Sequence, residues 1–324
     1  MKTNKGLIIA AGACVLGALL IALSISLTRG DWSKLNMSTI EYEKLQYDCT
    51  SDISAIEIYE TSNEVMVVPG DVKKATVNYF YNEKYLNYEI TEQNGTLTVK
   101  RLKSKKNIDF SFGFEFEWPE VVVTVPDKEY EKICINLSSG GAKVSDIDVN
   151  RIDVSNSSGS ISLENVDASM IDVSNTSGAI NLSDITADTV EATSTSGGVK
   201  LSNVTAPFVT AEATSGSLSL ENIVASDVNT KVSSGFLNLR GVKADNINGK
   251  TTSGSVKVEN LDAAKSISLE ATSGSIRGTI IGNESDFSII SNTVSGSSNV
   301  ESRIGGDKEL NLKTTSGSIH VDFE

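Results

Sequence analysis

The chain has 324 residues, enough for a large core or two domains, and 42 acidic against 28 basic side chains give a formal charge of −14. A surface this acidic repels nucleic acid and anionic lipid, and no basic groove offsets it. With His320 as the single histidine, a Ser-His-Asp triad or a histidine-based metal centre has almost no material to be built from.

Leu7 to Leu27 is apolar or small throughout and carries no charge. As a helix these residues span roughly 31 Å, about one bilayer core. Lys2 and Lys5 precede the segment, and Arg29 is offset at once by Asp31. This bias predicts a transmembrane helix within residues 1–29, with the N-terminus inside and the bulk of the chain outside the cell membrane. A cleaved signal peptide is the competing reading. Its apolar region is normally shorter and ends in small residues, of which Ala22-Leu23-Ser24 is a poor version. Cys14 lies mid-segment with apolar Val15 to Leu20 beyond it, which argues against a lipidated cysteine. Cys49 and Cys134 could pair in an exported chain; free thiols are the plainer reading, and the sequence shows no bridging geometry.

Residues 30–50 read as a polar stalk with some helical character around Thr39 to Gln46. Strand-like alternation begins at Ile53 and recurs through Val65–Val68, Ala75–Tyr81, Tyr85–Thr91 and Val121–Val125. Asn94-Gly95 is a strong hairpin turn. Residues 51–137 are therefore expected to form an irregular or antiparallel β cap on the repeats beyond them. Inside this region, Lys100 to Lys106 is the densest basic run, including Lys103, Lys105 and Lys106. Phe110, Phe112, Phe114, Phe116 and Trp118 come next at a spacing of two, which puts five rings on one face of a strand. They either plug an open end of the fold or form an aromatic flap for the membrane surface or a partner.

From residue 138 a Ser-Gly pair recurs ten times, with glycines 140, 159, 178, 197, 216, 235, 254, 274, 296 and 317. The first six intervals are each 19 long; the last three are 20, 22 and 21. A fixed period of this length marks a repeat architecture. Counting from each glycine, apolar residues fall at positions 2, 4, 7, 9, 12 and 14, as in Ile161, Leu163, Val166, Ala168, Ile171 and Val173. Each pair is one short strand, and the odd steps between pairs require corners. Asn or Asp sits at the first corner (Asp146, Asn165, Asp184, Asn203, Asn222, Asn260), where a left-handed backbone is tolerated. The second corner carries Ser169, Asp188, Pro207, Ser226 or Asp245, and the Ser-Gly pair makes the third. The pattern predicts an all-β, parallel β-solenoid over 138–324, one repeat per coil, with right-handed coiling expected. At roughly 4.8 Å per coil, nine intervals give a rod of roughly 43 Å. Serine hydroxyls just before the glycines and amides at the first corner should stack in columns. An open solenoid end exposes unpaired backbone, so a cap before it is a physical requirement.

Outward carboxylates stack as well: Asp148 with Asp167, and Asp153 with Asp172 and Glu191. They are weak candidates for a hard cation, and a solvated surface is the plainer reading. No cofactor is implied. Serine is abundant but has no base partner, so an enzyme is not expected. A glycan-active or cation-stabilised enzyme of the β-helix type is the alternative. It would need clustered carboxylates and aromatic sugar platforms, and the coils hold only Phe208, Phe236, Phe287 and Phe323.

The run Ile56 to Gly70, Asn94-Gly-Thr-Leu-Thr-Val-Lys100, the Phe-rich stretch, Val121 to Pro126 and the repeated Thr-Ser-Gly-Ser-Ile motifs together resemble the bacterial DUF4097 "putative adhesin" family. The resemblance covers roughly residues 40–324. It implies a β-helical extracytoplasmic module, often behind a single N-terminal membrane helix and in one case part of an envelope-stress operon. It supplies no catalytic residues. The expected function is a membrane-tethered, non-enzymatic binding or scaffolding module of the cell envelope, its partner an envelope protein or glycan.

Overall fold

A computed structural model describes residues 41–104 and 119–324. The expected membrane helix, most of the stalk and the five-ring aromatic run lie outside them. The described residues form one continuous all-β sheet of strands wound into a solenoid. The first full coil is strand β9 (Ala142–Ser158). Before it come β1 (Glu43–Asp48), β2 (Ala55–Glu60), β3 (Glu64–Pro69), β4 (Thr76–Tyr81), β5 (Tyr88–Gln93), β6 (Thr96–Arg101), β7 (Glu120–Val125) and β8 (Tyr130–Leu137).

The coils keep the frame set by the Ser-Gly pairs. Ile161 pairs with Ile180, Leu163 with Leu182 and Ile171 with Val190, all parallel and in register. Positions 2, 4, 7, 9, 12 and 14 are buried in coil after coil. Asp146, Asn165, Asp184, Asn203, Asn222 and Asn260 all adopt φ between 52° and 59°, and Gly241 takes the same place in its coil with φ 57°. Their amides stack as expected: Asn165 donates to Asp146 (2.8 Å), Asn203 to Asp184 (2.9 Å) and Asn222 to Asn203 (3.1 Å). The expected serine column is displaced. The serine hydroxyls that contact the next coil are one residue after the glycine, as in Ser255 and Ser275. At the Ser-Gly corner the coils come close enough that a Cβ on Gly178 would lie 2.0 Å from the carbonyl oxygen of Gly159. Only glycine fits there.

The third face has one more inward position than the apolar pattern indicates. Position 16, three residues before the next Ser-Gly glycine, is buried and mostly polar: Asn156, Asn175, Ser194 and Thr251, with Thr314 in the matching place before Gly317. Asn156 donates to the Gly140 carbonyl (2.9 Å) and accepts from the Ser158 amide (3.0 Å). Asn175 does the same for Gly159 and Ser177. Each such asparagine satisfies two backbone groups at the glycine corner. Ser194 is too short to reach, and its hydroxyl is buried without a partner.

The residues before the first Ser-Gly pair extend the rod. β8 pairs in parallel with β9, β2 with both β8 and β6, and β3 with both β7 and β9. Among the described residues, antiparallel strand pairing is found where β5 lies on β6 and β4 between β7 and β1. The expected helical character near Gln46 gives way to strand β1, whose flank packs on β4 through Tyr42 against Phe80. Asn94 and Gly95 turn with φ 52° and 77°, as expected of the hairpin.

The far end departs from sequence order. Strand 308–316 lies between 256–273 and 287–295, pairing with both. The tenth Ser-Gly glycine thus stacks on the eighth, and the ninth lies outside it: a Cβ on Gly317 would meet Gly274, and one on Gly296 would meet Gly317. Residues 298–303 then fold over the last strand, where Ile289 and Arg303 exchange backbone hydrogen bonds at 2.8 and 2.9 Å.

One buried ionic group joins cap to rod. The Glu60 side chain is fully buried and accepts from the backbone amides of Thr61 (2.7 Å), Ser62 (2.9 Å) and Asn63 (3.3 Å), from Arg101 Nη1 (2.7 Å) and from the Tyr88 hydroxyl. The turn it holds presents the Asn63 carbonyl to Gly140, where a Cβ would come within 2.4 Å. Residues 61–63 therefore stand in for a preceding glycine corner. Burial pushes the Glu60 pKa up, but hydrogen bonds from Tyr88, Arg101 and Ser62 outweigh it, and the carboxyl titrates below its ordinary value.

Two outcomes are expected. Ser194→Asn should bond the Gly178 carbonyl as Asn175 bonds Gly159, adding about 1 kcal/mol, while Asn175→Ala should cost about 2 kcal/mol. A lower melting temperature for Ser194→Asn would contradict the corner role. Glu60→Gln should cost about 3 kcal/mol at neutral pH, because Arg101 keeps a poorly solvated charge. A carboxyl lowered by folding stabilises fully above its unfolded pKa of about 4.3 and loses that contribution as pH falls through the folded value. The gap in melting temperature between wild type and Glu60→Gln should therefore close in acid; a gap constant from pH 7 to about pH 3 would rule the charge out.

Candidate binding surface

Because each coil repeats the frame of the last, outward side chains form files along the rod, and charge on the surface is arranged file by file. The predicted carboxylate files exist: Asp148 is beside Asp167, and Asp153 beside Asp172, which is beside Glu191. Their surroundings differ. Arg151 Nη2 lies 2.6 Å from Asp153 and 3.9 Å from Asp172, and Lys132 reaches Asp153 at 3.4 Å. Burial raises the Asp153 pKa, but the Arg151 hydrogen bond and the two cations overcome it and hold the carboxyl below its usual range. Arginine and lysine here relieve the repulsion that a metal ion would otherwise be needed to relieve.

Asp148 and Asp167 open instead on a groove of about 890 Å³ where the cap loops at Pro69–Val72 and Pro126–Asp127 meet the first corner. Asp71, Asp127, Asp146 and Asp184 join them along its walls. Asp146 and Asp184 each accept an amide hydrogen bond from the next coil. Among the described residues no group of three or more His, Cys, Asp or Glu is disposed to hold a metal ion. The structure thus brings Asp148 and Asp167 together with acidic neighbours that their own file does not contain, and leaves Asp153, Asp172 and Glu191 on a different face.

Of the predicted basic and aromatic surface, Lys103 is exposed just after β6, where the Leu102 amide bonds to the Asn87 carbonyl (2.8 Å). Lys105, Lys106, Phe110, Phe112, Phe114, Phe116 and Trp118 lie outside the described residues. Cys49 is buried and Cys134 half-buried, both as free thiols. Cys134 points outward between the buried Ile133 and Ile135, as its frame predicts. His320 is exposed, with Nε2 3.8 Å from Asp322.

Among solved structures, the chain resembles a "putative cell adhesion protein" of Clostridium sporogenes at 10% identity and TM-score 0.28, covering 88% of this chain and 100% of that one. It resembles a "putative adhesin" of Bacteroides fragilis at 15% identity and TM-score 0.42, and a "putative lipid binding protein" of Parabacteroides distasonis at 16% and 0.43. Each of the latter two covers 88% of this chain and 98% of the other. No curated protein sequence matches. The Toastrack DUF4097 family model matches residues 53–207 and again 169–324, the two spans overlapping as a repeating frame allows. From Ile53 to the last coil, the chain belongs to the Toastrack DUF4097 family.

Proposed function

We propose that the chain is a non-enzymatic binding module of the bacterial cell envelope: a rod held at the membrane by Leu7–Leu27 and presenting its outward files to an extracytoplasmic partner. The observation that carries this reading is the surface itself. Its polar side chains are held in fixed register by the coil stack, and paired carboxylates such as Glu60 and Asp153 are committed to joining cap to rod and coil to coil. Recognition needs such a rigid array of groups. Chemistry would need groups free to change state. The charge bias around residues 2–31 supports the tether, with the rod on the outer side.

Protease added to intact wall-free cells should remove everything beyond about residue 30 and leave the N-terminal segment with the membrane. A full-length, protected chain would refute the topology. Crosslinking in the intact envelope should recover one recurrent partner through side chains on the outward files; turnover of a cell-wall glycan by the purified protein would instead favour an enzyme.

A further inference from the structure

The outward file three residues beyond each Ser-Gly glycine changes character along the rod. It runs Lys200, Ser219, Asn238, Lys257, Arg277, His320, each beside the next on neighbouring coils. The last three are basic residue types on consecutive coils, all exposed. His320 joins them only because strand 308–316 is inserted ahead of 287–295, which stacks the final coil directly on Arg277. Like charges at roughly 4.8 Å spacing repel. Yet in this acidic protein neither Lys257 nor Arg277 has an ion-pair partner among the described residues. Of the carboxylates of the flanking file, Glu259 lies 3.3 Å from Arg240, and Asp322, which accepts from Asn299 at 3.3 Å, approaches His320 alone of the three, at 3.8 Å.

On the other flank stands a second file, half-buried Ser255, Ser275 and Ser318. The Ser255 hydroxyl accepts the Ser275 amide and the Ser275 hydroxyl accepts the Ser318 amide, both at 3.3 Å. A hydroxyl that accepts from the backbone keeps its own proton for a further partner. Two parallel files result, one of basic side chains and one of hydroxyl donors, with the same coil repeat.

We propose that Lys257, Arg277 and His320, with Ser255, Ser275 and Ser318, form a binding strip for a linear phosphate-bearing polymer lying along the rod. The proposal deepens the binding-module reading by naming a ligand class. Phosphate oxygens accept charge-assisted bonds from the basic file and neutral ones from the serines. The donors lie in a straight line on an open sheet, which suits a chain of phosphates better than a single enclosed one. A flat anionic bilayer would also press on Glu259 and Asp322, whereas a flexible chain fits along the basic and serine files beside them.

The test uses the purified full-length protein in detergent and inorganic polyphosphate as probe, so it can fail or succeed independently of where the rod is held. Saturable binding is expected at low salt, weakened on the order of tenfold by Lys257→Gln and more by Arg277→Glu, and severalfold by Ser275→Ala. Lys200→Glu, on the same file but isolated from the strip, makes the same change in net charge as Arg277→Glu and should leave binding within about twofold. Unchanged melting temperatures show that the exposed variants are folded. Absence of saturable binding, equal loss from Lys200→Glu, or Arg277-dependent binding to phosphatidylglycerol vesicles but not to polyphosphate would each overturn the proposal.

Discussion

The structure depends on the absence of one atom. At every Ser-Gly corner the glycine of one coil rests against the carbonyl of its neighbour, at a distance no Cβ tolerates; at Gly178 it would lie 2.0 Å from Gly159 O. This contact sets how closely coils approach, and from it comes the parallel register. Once Gly178 is seated on Gly159, Ile180 must lie on Ile161 and Leu182 on Leu163. The narrow core of Ile, Leu, Val and Ala is then filled by like residues stacking on like. The cap obeys the same constraint from the other side, because the Glu60 network fixes a turn that sets the Asn63 carbonyl against Gly140.

Much of this architecture is legible in the sequence because its signals are steric. The regularly spaced glycines, most with Asn or Asp at the next corner, mark turns by backbone conformation, and Asp146, Asn165, Asp184, Asn203, Asn222 and Asn260 all adopt positive φ. What escapes is governed by hydrogen bonding or by order in space. Position 16 is inside the core, but asparagine there reads as surface, since nothing local reveals that its amide serves the Gly140 or Gly159 carbonyl. The run of Ser-Asn-Ser or Ser-Asn-Thr before the Ser-Gly pair is the available trace. The exchanged final coils are also hidden, because a repeat frame gives the order of coils along the chain and not along the rod. The lengthened intervals from Gly274 to Gly296 and from Gly296 to Gly317 are the visible irregularity.

The surface is harder to read than the fold for the same reason. Asp153, Asp172 and Glu191 share a file as their frame requires, but whether that file is strained depends on Arg151 and Lys132 reaching it from a neighbouring file and coil. Lys257, Arg277 and His320 do not form a set until the last coil is placed on the eighth glycine rather than the ninth. The acidic groove draws two of its walls from cap loops, one around Gly70, far from Asp148 in sequence, and one at the nearer Asp127. Files within the rod can be written down from a period; contacts between files and across the cap cannot.

The interleaved terminus bears on how such a protein changes length over generations. One more coil of the same length, inserted between Gly159 and Gly254, meets the same neighbours above and below, so duplication there lengthens the rod without disturbing either end. Duplication at the C-terminus has no equivalent place to go, since strand 308–316 already occupies the slot behind 287–295, and residues 298–303 close the outer edge. Growth is confined to the interior, and the two ends are inherited as fixed fittings on a shaft of variable length.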